Sequence, residues 1–399
     1  MKSEILPLVE MHEKWRTEET INLQASENII SPAVKKALGS DLAGRYSLPV
    51  NGEIHGAFVK NAYGGTRYSA EIEERTEKLA RDVFGAEFSD VRPLSGHIAA
   101  MTVLAVLLER GNRIMAIDAE NGGYDGYLPD YMSGMLGLSY SPLPFDNETM
   151  RVKTDELASK IRKERPAALI LGSSYIPFPY DLKAVRDACA DCLLLYDASH
   201  VLGLIAGGKF QPDALKYCDV VYGSTHKTFF GPQGGIILSN RWDLMEPIRK
   251  RSIWLTYDNT HMHRIAGLGV ALEEMKAFGE EYADAVIKNS KTFAKELDER
   301  DIPVRLGPEY SESHQVLIDA KRMKEIGLDT ASFSSRLEEQ NIVVDAVGRL
   351  GTQEATRIGM KERDMETIAG FIYDIVIKKK RIKKEISKFR SIFNLKYTF

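Results

Sequence analysis

The chain has 399 residues, with 53 basic and 57 acidic side chains and a formal net charge of -4 at pH 7; this allows two or three domains at roughly 100–200 residues each. With 44% hydrophobic and 28% charged residues, the composition excludes a disordered chain, and the near-neutral balance excludes nucleic-acid binding driven by bulk charge. No apolar run approaches the roughly 18 residues of a membrane span.

The opening Met1-Lys2-Ser3-Glu4 lacks the apolar core of a secretory signal, so a cytoplasmic location is expected. From about residue 70 to 240, helical and short apolar segments alternate. Glu71 to Phe84 reads as a helix, Ser89 to Arg92 as a strand, Gly96 to Leu108 as a helix and Arg113–Ile117 as a strand. Further strands are expected at Ala167–Leu171, Leu193–Tyr196 and Val220–Tyr222, with a helix at Leu182–Ala190. Short β-branched and leucine runs between helices predict a mainly parallel, buried sheet, whose strand-end loops hold ligands.

The three cysteines are Cys189, Cys192 and Cys218. An odd, sparse set is no disulfide framework and fits a reducing compartment. The Cys189/Cys192 pair has no second pair to complete a zinc site, so both are read as small apolar residues packed at a helix end, and no metal is expected.

Beyond about residue 260 the pattern changes. His261 to Leu297 is helical, followed by strands near Val316–Ile318, Ile342–Val344 and Thr356–Ile358. The expected division is an N-terminal arm (1–30), a large domain (31–260) and a smaller α+β domain (261–399). Lys378–Lys379–Lys380–Arg381 and Lys383–Lys384 form a basic run in a helical C-terminal segment. Ile375, Ile382, Ile386, Phe389 and Phe393 recur there at helical spacing, which predicts a docked helix with a solvated basic face.

Three stretches carry chemistry. In Tyr222-Gly223-Ser224-Thr225-His226-Lys227-Thr228 a lysine follows a predicted strand and precedes glycines; a crowded lysine at such a place serves as an imine-forming amine, whereas a lone one is a surface residue. Leu194-Leu195-Tyr196-Asp197 ends a buried strand on a carboxylate, which either caps a helix or pairs with a buried cation such as a pyridinium N–H. Ser95-Gly96-His97 opens a helix and is either plain capping or a phosphate seat. Phosphate seat, ring-nitrogen aspartate and imine lysine, in that chain order, point to a pyridoxal 5'-phosphate enzyme of the aspartate-aminotransferase-like fold (fold type I).

At these residues the sequence resembles the serine hydroxymethyltransferase (glycine hydroxymethyltransferase) family, from about Leu23 to Gly359. Its landmarks are Leu23-Gln24-Ala25-Ser26-Glu27-Asn28, Tyr63-Gly64-Gly65, the Asp197 to Ala206 segment and Thr225-His226-Lys227-Thr228. The resemblance implies that Lys227 holds the cofactor covalently and that Asp197 pairs with its ring nitrogen. Ser95, Gly96 and His97 would hold the phosphate, with Thr225 beside the lysine among the cofactor contacts. Ser174 would lie near the phenolic oxygen and His200 near ring and substrate. His226 would shape the site, and Tyr124 stands where the family stacks a histidine on the ring. Arg357 would grip the substrate carboxylate as a planar fork, with Ser26 as a second contact. Tyr46 and Tyr63 match tyrosines used across a dimer interface, although core aromatics are the alternative. A homodimer or dimer of dimers is implied, with Ile5–Trp15 as a partner clasp.

The departures bear on substrate. The family's glutamate just after the position of Tyr46 aligns with Leu48, and Glu53 or His55 would replace it only if the longer loop folds back. The family's Gln-Gly-Gly-Pro is Tyr257-Asp258-Asn259-Thr260, and aspartate near a phosphate is unfavourable unless turned away. The loop between Val344 and Arg357 is shorter, and Gln233 replaces an arginine. The implied reaction forms an external aldimine with a small α-amino acid and cleaves Cα–Cβ of serine or another β-hydroxy amino acid to glycine. A tetrahydropterin or tetrahydrofolate cosubstrate is left open. The alternatives are a folate-independent threonine or allo-threonine aldolase, a racemase, an aminotransferase or an inactive scaffold paralogue.

Overall fold

The computed structural model describes residues 3–399; Met1 and Lys2, part of the opening read for a signal, lie outside them. The chain forms two compact units: one comprises the segment up to Ile29 together with Glu281–Thr398, the other Ile30–Glu280 and Phe399. The N-terminal segment therefore groups with the C-terminal unit. Its strand Ile21–Asn22 pairs in parallel with Ile342–Val343, an attachment that no local pattern announces. The 37-residue helix Met262–Asp298 contributes its first half to one unit and its second half to the other.

In the Ile30–Glu280 unit a seven-stranded sheet runs in the order Phe88–Asp90, Gly235–Ser239, Val220–Ser224, Leu193–Asp197, Ala168–Leu171, Arg113–Ala116, Ser139–Pro142. Only Gly235–Ser239 is antiparallel to its neighbours, so the sheet is mainly parallel, as the uninterrupted apolar strands predict. Both faces are covered. The helix Gly96–Leu107 buries Ala99, Ala100, Val103 and Leu104 against Ile114, Leu195, Val220 and Ile237. The helix Arg67–Phe84 starts four residues earlier than expected, turns Ser69, Glu73, Thr76 and Ala80 inward, and ends at Gly85 in the left-handed conformation, φ 63°.

One correction falls here. Cys189 and Cys192 are paired as a disulfide, not two separate packed thiols: the helix Leu182–Ala188 stops and the chain turns back so that their Cα atoms lie 5.4 Å apart. Cys218 is a free, buried thiol.

In the other unit Gln315–Leu317 pairs antiparallel with Arg349–Gly351. The strand expected at Thr356–Ile358 is instead the end of a short helix, Gln353–Arg357. The Thr356 hydroxyl donates to the Thr352 carbonyl and accepts from Asn289, which closes a helical turn where β-branched residues suggested a strand. The C-terminal segment splits into helices Glu362–Val376 and Lys383–Arg390. Ile375, Ile382 and Ile386 are buried, and Phe389 and Phe393 pack against the same core, which matches the docked reading. The basic run Lys378–Arg381 lies in the turn between these helices, where Lys378 and Lys380 both pair with Asp374. Among the described residues no helix is long and apolar enough to cross a membrane.

Candidate active site

Parallel strands end on the same side of a sheet, so their last residues converge. Asp197 is the last residue of its strand and stands in register with Tyr222 on the neighbouring strand. Three residues beyond the end of that second strand comes Lys227. The two residues singled out from the sequence are thus gathered by adjacent strands.

Asp197 is only 8% exposed. Its Oδ2 accepts from the Tyr127 hydroxyl at 2.7 Å, and its Oδ1 from the Ser199 backbone N–H at 3.1 Å. The Tyr127 and Tyr222 oxygens are 2.8 Å apart. A phenol has one proton, so with Tyr127 donating to the carboxylate, Tyr222 donates to Tyr127. Burial, followed by the Asp197 charge, pushes both phenols well above the ordinary tyrosine range, which keeps them protonated donors. The helix-cap alternative for Asp197 fails, because the next helix begins at Leu202 with Val201 before it.

Lys227 is half-buried, with its Nζ 3.3 Å from His200 Nε2. The backbone at His200 is held in place: Thr228 donates its hydroxyl to the His200 carbonyl at 2.8 Å and accepts from Gly203 N–H at 3.0 Å. A side chain at Gly203 would overlap the Thr228 carbonyl. Thr225 closes the loop after the strand: its N–H donates to the Gly234 carbonyl and its hydroxyl to the Pro232 carbonyl. His226 is pushed down to about 4 by burial and then by Lys227, so it is neutral at pH 7. Its Nδ1 is buried with no hydrogen-bond partner among the described residues.

Ser95 caps the helix Gly96–Leu107 by accepting from Ile98 N–H at 3.1 Å. A Cβ at Gly96 would lie 2.2 Å from Ser224 Oγ and 3.0 Å from Ser199 Oγ, so the glycine keeps two serine hydroxyls beside the helix start. His97 is exposed, and its Nδ1 is 2.8 Å from the Tyr124 hydroxyl. Tyr124 in turn meets Tyr127 edge-on at 5.5 Å. Burial and the Asp197 charge raise the Tyr124 phenol, which places its ring in the field of that carboxylate. Ser174 donates its N–H to the Gly122 carbonyl at 2.8 Å, tying its loop to the one bearing Tyr124.

The other expected residues of this unit, Tyr46, Tyr63 and Glu53, stand on separate exposed segments. Tyr46 and Tyr63 are 44% and 45% exposed, with ring centroids 4.7 Å apart. The insertion does not fold back: Pro49–Ile54 and Ala57–Asn61 form a β-hairpin, with Glu53 and His55 exposed near its tip. Among the described residues Glu53 makes no hydrogen bond or ion pair. Leu48, aligned with the family glutamate, is buried at 8% exposure. Asp258 accepts from the Tyr46 hydroxyl. Ser26 and Arg357 belong to the other unit. There, Gln353 donates to the carbonyls of Gln24 and Glu27, both at 2.7 Å, which fastens the segment bearing Ser26 to the helix bearing Arg357.

Sequence reasoning missed Tyr127, Tyr222, Ser199 and Arg264. The Asp197-Ala198-Ser199 spacing was a readable sign of a carboxylate accepting from a backbone N–H two residues on; the tyrosines gave no local signal. Arg264 is buried beside the loop where Gln233 replaces an arginine: a Cβ at Gly234 would lie 2.5 Å from its NH1.

Comparison with known proteins identifies this arrangement. The family described as Serine hydroxymethyltransferase matches residues 1–372. The chain is 37% identical over 386 residues to a serine hydroxymethyltransferase of Methanobrevibacter smithii, covering 93% of this chain and 89% of the relative. The chain belongs to the serine hydroxymethyltransferase family. A second relative of that name, from Methanothermobacter marburgensis, is 38% identical over 407 residues, covering 98% of this chain and 93% of its own. Among solved structures, L-threonine transaldolase from Pseudomonas fluorescens, in its internal aldimine state, superposes with a TM-score of 0.88 at 25% identity, covering 99% of this chain and 93% of that one.

This member of the serine hydroxymethyltransferase family is therefore a fold-type-I enzyme of the hydroxymethyltransferase/aldolase type that uses pyridoxal 5'-phosphate. The residues present fit that group. A buried carboxylate already oriented by two donors suits a protonated ring nitrogen, a helix start opened by Gly96 suits a phosphate, and the orphaned His226 Nδ1 leaves a polar atom for a further contact.

Proposed function

We propose that the enzyme reversibly cleaves the Cα–Cβ bond of a β-hydroxy-α-amino acid, serine or threonine, releasing glycine and an aldehyde, and that threonine cleavage needs no pterin. The observation that carries this reading is Lys227 and Asp197 on the ends of adjacent parallel strands, with the Asp197 carboxylate held by Tyr127 and Ser199. Pyridoxal phosphate, when bound, supplies an electron sink for the pair left at Cα. The chain does the rest. Asp197 keeps a ring N–H protonated, because a buried carboxylate favours a cation beside it. Lys227 supplies the amine that holds the cofactor, and His200, 3.3 Å away, is placed to exchange a proton with that amine. The rings of Tyr124 and His200 would pack on the cofactor, and Ser95, Gly96, His97, Ser174 and Thr225 would hold its edge and phosphate. Arg357 and Ser26 would orient the substrate carboxylate and so select which bond at Cα breaks.

Support for pterin independence is local. The position of the family glutamate carries the buried, apolar Leu48, and Glu53 stands on an exposed tip. A retro-aldol cleavage needs a base at the substrate hydroxyl but no one-carbon acceptor. A homodimer, with Tyr46 and Tyr63 reaching a partner's site, fits their exposure and the exposed Leu6, Leu8, Val9 and Met11 of the helix Leu6–Lys14. The test is glycine release by the holoenzyme from serine, threonine and allo-threonine, with and without tetrahydrofolate. Glycine from a threonine isomer without pterin is expected; no glycine from any of the three under either condition overturns the reading.

A further inference from the structure

Arg357, the residue read above as the carboxylate grip, is fully buried. Its NH1 donates to the backbone carbonyl of Tyr397, forty residues along the chain. The contact is one of several that seat the same tail segment. Lys396 N–H donates back to the Arg357 carbonyl at 2.8 Å, so the two residues grip each other at both ends. The Tyr397 ring lies 5.5 Å from Tyr282, nearly edge-on. Gly359, with φ 92°, leaves room for the tail, since a Cβ there would lie 3.1 Å from Lys396 Cγ.

We propose that residues 396–398 form a self-occupying strap, with the Tyr397 carbonyl holding the Arg357 guanidinium until the carboxylate of an amino acid displaces it. The inference rests on the reading of Arg357 as the substrate's carboxylate grip. Its physical basis is a hierarchy of acceptors. A neutral carbonyl offers a guanidinium one uncharged oxygen, whereas a carboxylate offers two charged ones in a matching fork, and charge-assisted pairs are about twice as strong. The strap therefore satisfies a buried cation that would otherwise be costly, yet yields to the ligand for which the fork is shaped. It is also held without comfort. Tyr397 sits at φ 57°, in the left-handed region that a side chain disfavours, so release relaxes its backbone. Lys396 is exposed on the same segment and reports on it.

A strap in competition with ligand lowers apparent affinity by the fraction of molecules in which it is closed. In the holoprotein, deletion of residues 396–399 is expected to tighten glycine binding about five- to tenfold, read by calorimetry, with cofactor affinity unchanged. Tyr397→Ala, which removes only the ring packing on Tyr282, is expected to act in the same direction by a smaller factor. In the full-length protein, saturating glycine is expected to speed tryptic cleavage after Lys396, a readout independent of turnover. Unchanged or weaker glycine binding in both variants, or glycine protecting Lys396, overturns the strap. Arg357→Lys separates the two readings. Weaker glycine binding with and without the tail supports the carboxylate grip whatever the strap does; unchanged binding overturns both.

Discussion

Two stretches of the larger unit treat polar side chains in opposite ways. At the strand ends, Asp197 is 8% and His200 4% exposed, each held by backbone or side-chain partners. On the hairpin Pro49–Asn61, Glu53 and His55 stand in water, and no side-chain hydrogen bond or ion pair among the described residues fixes their orientation. Preorganisation separates them: a group already desolvated and aimed costs no reorganisation when charge develops beside it, whereas a solvated group on a hairpin must first be ordered. The first region has the geometry of a working site in a single chain. The second acquires one only if something else orders it.

Asp197→Asn is the most severe way to break that contrast. The amide keeps the shape but removes the charge that stabilises a protonated ring nitrogen, and turnover of a β-hydroxy amino acid is expected to fall about 100- to 1,000-fold. Steady-state kinetics with cofactor occupancy checked by absorbance decide it; a loss below tenfold would show that the carboxylate is not paired with the ring.

The buried histidine gives a second, intermediate effect. In the unfolded chain a histidine takes up its proton near pH 6.5, but in the fold His226 does so only near 4 because burial and Lys227 oppose the charge. Between those values the unfolded state binds more protons, so this residue erodes stability as pH falls through that window, by about 3 kcal/mol at its lower end. Glu73, raised to about 7 by burial, has the opposite sign and favours the folded state as pH falls through 7. The residue-specific part is isolated by comparing urea midpoints of the apoprotein and His226→Asn at pH 7 and pH 4.5. The wild-type midpoint should drop more than the variant's, and equal drops would remove His226 as the cause.

The smallest effect is expected at Glu53→Ala. An exposed, unpaired side chain on a hairpin contributes within about 0.5 kcal/mol to stability, and turnover should stay within about twofold. A tenfold loss would instead mean that the tip is ordered in the working assembly and carries the proton that Leu48 cannot. Running the same variant over a wide range of protein concentration would sharpen the comparison, because only a tip ordered by a second copy would lose its effect on dilution.

The departures from expectation share a cause. Thr356–Ile358 reads as a strand because a three-residue stretch with β-branched residues at both ends has no decisive period; the Thr356 hydroxyl and Asn289, sixty-seven residues away, make it a helical turn. The separateness of the N-terminal arm failed on two residues, Ile21 and Asn22, that pair with Ile342–Val343. Asp258 is paired with Tyr46, more than two hundred residues away, a partner that no local spacing announces.

What the sequence by itself determined is what short-range pattern can encode. Buried apolar runs of four or five residues set the parallel sheet, and polar residues placed just at or after their ends, Asp197 and Lys227, mark the candidate site together with the helix start at Ser95-Gly96. The tertiary structure alone decided how those groups are aimed. Tyr127 and Tyr222 orient the carboxylate, Thr228 seats His200, and the Tyr397 carbonyl occupies Arg357, each across 28 to 95 residues of chain. Hydrophobic periodicity is a property of neighbours in sequence, whereas a hydrogen bond between side chains depends on which elements the finished core brings within 3 Å, and no local spacing carries that information.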